Sequence, residues 1–395
     1  MRPILEADAG SETLGISDIA VANKGFSFTT EQFKNIDFKD ILDKEIMLNK
    51  WLLCPYKFFC LWQEGSDALY YLTHETELAL QIINPPKDII GGAGNVGATC
   101  AQVLANKEIA EDIVLFDVNE SVCNGKGLDM YQSMPILNSS SRLLPTANYN
   151  DTANSDIVVI TAGIARKPGM SRDDLLKTNA GIVSSCSEEA IKYSPNATFI
   201  IVSNPLDVMT YIALQKTKLP RNKVIGMAGI LDSARFRTFL AMEIGISPKD
   251  IQALVLGGHG DTMVPLPRYT TVAGIPITDF VPKDKLDAIC ERTANGGGEI
   301  VKYLQTGSAW YAPATASAEI VEAIIKNQKR ILPCTVLLDG EYGYKDVCVG
   351  VPIVIGRNGI ERIVELKLEP NEKALFDKSA SHVKETIKEA MEILK

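Results

Sequence analysis

Two segments far apart in the chain carry side chains suited to proton exchange and anion binding. Leu231-Asp232-Ser233-Ala234-Arg235 is followed by Gly257-Gly258-His259-Gly260-Asp261. Glycine neighbours leave an imidazole open to a ligand, and imidazole exchanges protons near neutral pH. A carboxylate such as Asp232 can hold the second ring nitrogen, fix the tautomer and stabilise the imidazolium. Arg235 falls on the same helical face as Asp232 and suits a substrate carboxylate. Spacing alone leaves open whether His259 is catalytic or structural. His74 has no such neighbours; neither does His382, which reads as a surface residue of a charged closing helix.

A third segment is basic. Thr161-Ala162-Gly163 ends an apolar run, and Arg166, Lys167 and Arg172 follow on a loop bearing Pro168 and Gly169. Arginine can grip a carboxylate through two parallel hydrogen bonds. A solvated basic loop is the bland alternative. The position at the end of a strand, where ligands of parallel sheets bind, favours an anionic substrate.

Gly92-Ala93-Gly94-Asn95-Val96-Gly97 fits the G-x-G-x-x-G pattern. The first glycine permits a tight turn, the second a close approach of backbone to pyrophosphate, the third close helix–strand packing. A strand-like run precedes it and a helix-like run follows. Asp117 lies 20 residues after Gly97, at the end of the next apolar run. A carboxylate there can hold ribose hydroxyls and would repel a 2′-phosphate, favouring NAD over NADP.

These residues need a scaffold, and the sequence from Lys87 onward predicts one. Short β-branched runs (DIIG, DIVLFDV, SDIVVITAG, TFIIVSNP, KVIGM, IQALVLGG) alternate with helical stretches. That alternation predicts an α/β fold with a Rossmann-type, doubly wound parallel sheet covered on both faces. The last third predicts helices around Gly307-Ser308, then antiparallel strands near 334–338, 347–355 and 360–368. A closing helix over 372–394 carries apolar residues at Ala374, Leu375, Val383, Ile387, Met391 and Ile393. The division expected is an N-terminal extension of unknown structure over 1–86, an NAD-binding domain over 87–229 and a C-terminal α+β catalytic and substrate domain over 230–395.

Composition narrows the function classes. The 395 residues carry a net charge of −9, which gives no chain-wide basic footprint for nucleic acid. No apolar run reaches the ~18 residues of a membrane span. The acidic start lacks an apolar signal region, and the eight cysteines form no CxxC, so reduced thiols and a cytoplasmic location are expected. Three histidines nearly exclude a histidine metal cluster.

Together the motifs GAGNVGA, VLFDV, ITAGIARKPGMSRDDLL, VSNPLD, GMAGILDSARFR, LGGHGDTMVPL, TGSAWYAPA and GVPIVIGRNGIE resemble the malate dehydrogenases of the lactate-dehydrogenase-like type, from about Lys87 to the C-terminus. The resemblance implies NAD held by Gly92, Ala93, Gly94, Asn95, Val96, Gly97 and Asp117, with Asn179, Val202, Ser203 and Asn204 on the nicotinamide side. It implies malate or oxaloacetate as substrate and a His259–Asp232 proton relay. Arg166 would meet the distal carboxylate, Arg172 the carbonyl and Arg235 the C1 carboxylate, with Asn204 touching the substrate oxygen. It implies no metal and a homo-dimer or homo-tetramer, with the small-residue face Ala314–Ala318 as one candidate contact between subunits. Lactate dehydrogenases typically carry an uncharged residue in place of Arg166, so lactate is the alternative substrate.

The sequence departs from that family in two places. Residues 1–86 have no counterpart in it and carry 7 Lys+Arg against 13 Asp+Glu. An appended module, a mis-called gene start and a poorly ordered tail all fit this stretch, and the abrupt change at Pro86 favours the mis-called start. In Lys87-Asp88-Ile89-Ile90-Gly91, Asp88 and Gly91 stand where apolar and β-branched residues are usual. The first strand is therefore expected to be short and weak, which leaves a catalytically impaired homologue as a further alternative.

Overall fold

The computed structural model describes residues 22–23, 26–27, 87–164 and 172–394. The chain separates into two units, Met1–Pro85 and Pro86–Lys395. In the first, Ala22–Asn23 and Phe26–Ser27 pair antiparallel. The other expectations for residues 1–86 lie outside the described residues, His74 among them, as do those for Arg166 and Lys167.

The second unit is organised by a nine-stranded sheet. Its parallel part comprises β1 (Lys87–Gly91), β2 (Asp112–Phe116), β3 (Arg142–Thr146), β4 (Ile157–Ile160), β5 (Thr198–Ile201) and β6 (Val224–Gly226). They lie in the order β3-β2-β1-β4-β5-β6. The crossovers contain α1 (Asn95–Asn106), α2 (Glu120–Leu137), α3 (Arg172–Tyr193) and α4 (Leu206–Thr217). Every residue of β4 and β5 is buried, as expected for strands covered on both faces. Each buried Ile or Phe there contributes about 1.5–3 kcal/mol. The order reverses between β1 and β4, which opens a crevice at the C-terminal ends of those strands.

β1 is not the weak strand its sequence predicts. It is five residues long, as are β2 and β3. It pairs with β2 from Lys87↔Asp112 to Gly91↔Phe116, and with β4 from Asp88↔Ile157 to Gly91↔Ile160. Its first residue is anchored as well. The Lys87 amide donates to Asp156 Oδ2 at 3.1 Å, and its Nζ donates to the carbonyls of Asp151 at 2.8 Å and Ala153 at 3.1 Å. Two-sided pairing compensates for poor local strand propensity.

The antiparallel strands of the last third extend the same sheet. β7 (Arg330–Asp339), β8 (Lys345–Gly356) and β9 (Gly359–Ile363) attach through Thr335↔Gly226, where β7 meets β6. The chain between β6 and β7 builds a second core from α5 (Ala228–Ile244) and α6 (Lys283–Leu304) with short two-residue strands. Phe236, Leu240, Ile251, Val255, Val281, Leu286 and Ile289 fill it.

The small-residue face of one helix is buried differently from expectation, and two of the six apolar residues named for the closing helix, Ala374 and Leu375, are exposed. In α7 (Tyr311–Ile325), Ala314, Ala316 and Ala318 are buried within this chain, where α7 packs on α1. Small residues permit that close approach, so this face is not available between subunits. The closing helix α8 (Pro370–Ile393) buries Phe376, Ser379, Ala380, Val383, Ile387 and Ala390, while Leu375 is exposed. His382, expected at the surface, is half-buried.

Candidate active site

The fingerprint turn is built by β1, the N-terminus of α1 and the loop after β4. Gly92 has φ +107°, a conformation that favours glycine. A Cβ on Gly97 would lie 1.8 Å from the Gly92 carbonyl oxygen, so α1 crosses β1 too closely for any side chain. A Cβ on Gly94 would meet nothing within 4 Å, which leaves that backbone open to a ligand. Gly94 is the N-cap of α1, with no side-chain cap and no acidic residue in the first turn. Its free N–H groups and positive dipole end therefore suit a pyrophosphate. Thr161 Oγ1 donates to the Gly91 carbonyl at 2.9 Å and ties β4 to the turn.

Asp117 stands at the end of β2 beside this turn. Its Oδ2 accepts from the Ala93 amide at 2.6 Å and its Oδ1 from the Asn119 amide at 2.9 Å. Lys126 Nζ donates to the Ala93 carbonyl at 2.7 Å. The carboxylate keeps further acceptor sites, as ribose hydroxyls require.

Asn179 is buried in α3 and acts as a pin between two loops. Its Oδ1 accepts from the Ile164 amide at 2.8 Å, and its Nδ2 donates to the carbonyls of Ile164 at 3.1 Å and Asn204 at 2.7 Å. Both amide protons are thus engaged within the chain. Val202 and Ser203 are buried after β5, and Ser203 Oγ donates to the Ala162 carbonyl at 2.5 Å. Asn204 is exposed at the same strand end.

The acid/base constellation closes as its residue types suggest. His259 Nδ1 lies 2.8 Å from Asp232 Oδ2, and Arg235 Nη1 donates to Asp232 Oδ1 at 3.2 Å. The Asp232 side chain is 3% exposed and that of His259 12%, so the pair is shielded but not sealed. Burial of the ring opposes the imidazolium. The Asp232 carboxylate outweighs that, with help from Asp207 and against Arg235, and the net His259 pKa is raised. Burial lowers the Arg235 pKa, partly offset by Asp232. Arg235 Nε is buried with no hydrogen-bond partner among the described residues, an orphan donor of the kind a bound carboxylate relieves. Arg172 opens α3, and its side chain lies outside the described residues.

Several contributors carry no local signal. Asp207, in α4, accepts from the His259 amide at 2.7 Å. Ser379, in α8, accepts from the Gly258 amide at 2.8 Å. Gly296, inside α6, gives Arg235 its space: a Cβ there would lie 3.2 Å from Arg235 Cδ. Among the described residues no group of three or more His, Cys, Asp or Glu is placed to hold a metal ion, and no helix is long and apolar enough to cross a membrane.

Two family models match in order. Residues 88–226 match lactate/malate dehydrogenase, NAD binding domain, and residues 230–394 match lactate/malate dehydrogenase, alpha/beta C-terminal domain. A malate dehydrogenase of Cytophaga hutchinsonii is 61% identical over 302 residues, which cover 76% of this chain and 96% of that protein. A solved malate dehydrogenase from Salinibacter ruber is 47% identical with a TM-score of 0.75, covering 78% of this chain and 98% of that one. A lactate dehydrogenase from Cryptosporidium parvum, solved with lactic acid and nicotinamide adenine dinucleotide, is 40% identical with a TM-score of 0.75, again covering 78% and 98%.

Proposed function

Because the chain belongs to the lactate/malate dehydrogenase family, we propose that it catalyses the reversible, NAD-dependent oxidation of (S)-malate to oxaloacetate. The observation that carries the reading is the buried Asp232 carboxylate 2.8 Å from His259 Nδ1, with Arg235 on its other oxygen.

Gly92, Ala93, Gly94, Asn95, Val96 and Gly97 hold the pyrophosphate of NAD, and Asp117 holds its adenosine ribose. Val202, Ser203 and Asn204 line the nicotinamide side, with Asn179 fixing their loop. Bound NAD supplies the hydride chemistry at the substrate C2. His259 takes the hydroxyl proton of malate on Nε2, and its imidazolium returns a proton to the oxaloacetate carbonyl. Asp232 keeps Nδ1 protonated and stabilises the imidazolium. Arg235 holds the C1 carboxylate, Arg172 polarises the C2 oxygen together with Asn204, and Arg166 binds the distal carboxylate.

Arg166 separates malate from lactate within this family. A guanidinium with no carboxylate to meet penalises pyruvate, which lacks the second carboxylate. Arg166→Gln is expected to lower kcat/KM for oxaloacetate by about 10–100-fold, the loss of a charged hydrogen bond worth ~1.5–3 kcal/mol, and to raise pyruvate turnover. Steady-state kinetics with both acids decides it, and an unchanged preference removes the assignment.

We read the protein as a cytoplasmic homo-oligomer, dimer or tetramer. The six cysteines among the described residues are all thiols, which supports a reducing compartment. The exposed Leu128 and Ile136 of α2, with the adjoining Val118, support self-association. A monomer mass by light scattering removes the oligomer.

A further inference from the structure

Asp207 is the buried carboxylate at this site that binds the His259 main chain rather than its ring. It is 5% exposed, and burial raises its pKa. A carboxylate out of water is costly unless each oxygen is hydrogen-bonded. Here both are. Oδ1 accepts from the Thr335 hydroxyl at 2.6 Å, and Oδ2 accepts from the His259 amide at 2.7 Å.

Thr335 is the β7 residue paired with Gly226 of β6, at the junction of the parallel and antiparallel parts of the sheet. Next to His259, a Cβ on Gly258 would lie 2.6 Å from Val383 Cγ2 and 3.3 Å from Asp207 Oδ2. Only glycine at position 258 lets α8 come this close to the backbone just before His259. The loop that bears the imidazole is held by Ser379 of α8 at Gly258 and by Asp207 at His259 itself, and Asp207 in turn is tied to β7 through Thr335. The other side of the histidine is fixed by Asp232 through Nδ1.

We propose that Asp207 is a positioning residue of the proton relay: by accepting the His259 amide while braced on Thr335, it holds the imidazole with Nδ1 on Asp232 and Nε2 free for substrate. The inference rests on His259 being the proton donor. A hydrogen-bond acceptor is what the role needs, not a charge. Asparagine can fill it, because its carbonyl can accept the His259 amide while its NH₂ donates to the Thr335 oxygen.

Two readouts test this in the full chain. The first is kinetic. Asp207→Ala is expected to lose about a hundredfold in kcat, as misplaced groups do, with KM for NADH within about twofold of wild type. Asp207→Asn is expected to restore kcat to within about threefold. The second does not depend on turnover. The chain has three histidines, so ¹⁵N-histidine NMR gives three ring systems, and His259 is assigned by its loss in His259→Asn. The neutral His259 ring is expected to be almost entirely the Nδ1–H tautomer in wild type and Asp207→Asn, and a mixture in Asp207→Ala. Should Asp207→Ala fail to fold, Thr335→Val removes the brace alone and is expected to lower kcat about fivefold and to mix the tautomers.

An Asp207→Asn chain no better than Asp207→Ala overturns the proposal. So does a single Nδ1–H tautomer with wild-type kcat in Asp207→Ala, or in Thr335→Val where that variant carries the test. A wild-type chain that turns over neither acid counts against the proposed function alone, and the tautomer comparison still decides the role of Asp207.

Discussion

Replacing His259 with asparagine is expected to lower kcat for oxaloacetate reduction by about 10³-fold, within the range general acid–base catalysis supplies. Asparagine cannot deliver a proton from a group that titrates near neutrality. The main chain at this position is held by Asp207 at 2.7 Å and by Ser379 through the preceding amide, so the loop keeps its place without the ring. NADH affinity, read by fluorescence titration, is expected to stay within about threefold, since the turn that would hold it is formed by other residues. The wild-type pH profile follows from the raised His259 pKa. Reduction needs the imidazolium, so its rate is flat at low pH and falls as pH rises through a value above the ordinary ~6.5 of imidazole. Malate oxidation needs the neutral ring and rises over the same interval. In His259→Asn both limbs are expected to disappear. Wild-type kcat in this variant would remove His259 from the chemistry.

The second large effect is steric. Gly97→Val would place side-chain carbon against the Gly92 carbonyl oxygen, 1.8 Å from an ideal Cβ, and near Thr161 Oγ1 at 2.8 Å. The first of these neighbours is backbone in the turn itself, so neither rotamer change nor local give can relieve it. The cost exceeds the ~1–3 kcal/mol of ordinary overpacking. α1 must lift from β1 and carry its N-terminal donors with it. The expected result is a loss of NADH affinity of at least about 100-fold, with a lowered melting temperature. Gly94→Ala is the informative companion. Its Cβ meets no protein atom within 4 Å, so its melting temperature is expected to stay near wild type while NADH binding weakens. Wild-type NADH affinity in Gly97→Val would contradict the turn described here.

These effects were largely legible in the sequence because they rest on local patterns. The glycine spacing, Asp117 at the next strand end and the Asp232–Arg235 step each lie within one strand–turn–helix unit or one helical turn. The unreadable parts depend on residues brought together across the chain. Asp207 meets His259 over 52 positions and Thr335 over 128. No periodicity reports such a contact; the only trace of Asp207 was its place in the VSNPLD run. Gly296, likewise, lies 61 positions from the Arg235 side chain it makes room for. The strength of β1 was misjudged because propensity counts side chains, whereas its pairing comes from β2 and β4 on either side. α7 was misread because a small-residue face fits an intramolecular helix as well as a subunit contact.

In the proposed reaction the His259 relay works on a dicarboxylate with NAD as partner. NADH oxidation by the purified full-length chain, followed with oxaloacetate and with pyruvate side by side, tests it most directly. Fast turnover of oxaloacetate with pyruvate slower by at least about 100-fold is the predicted result, in line with a guanidinium left without a carboxylate partner. Turnover of pyruvate at the oxaloacetate rate, or of neither acid, would contradict it.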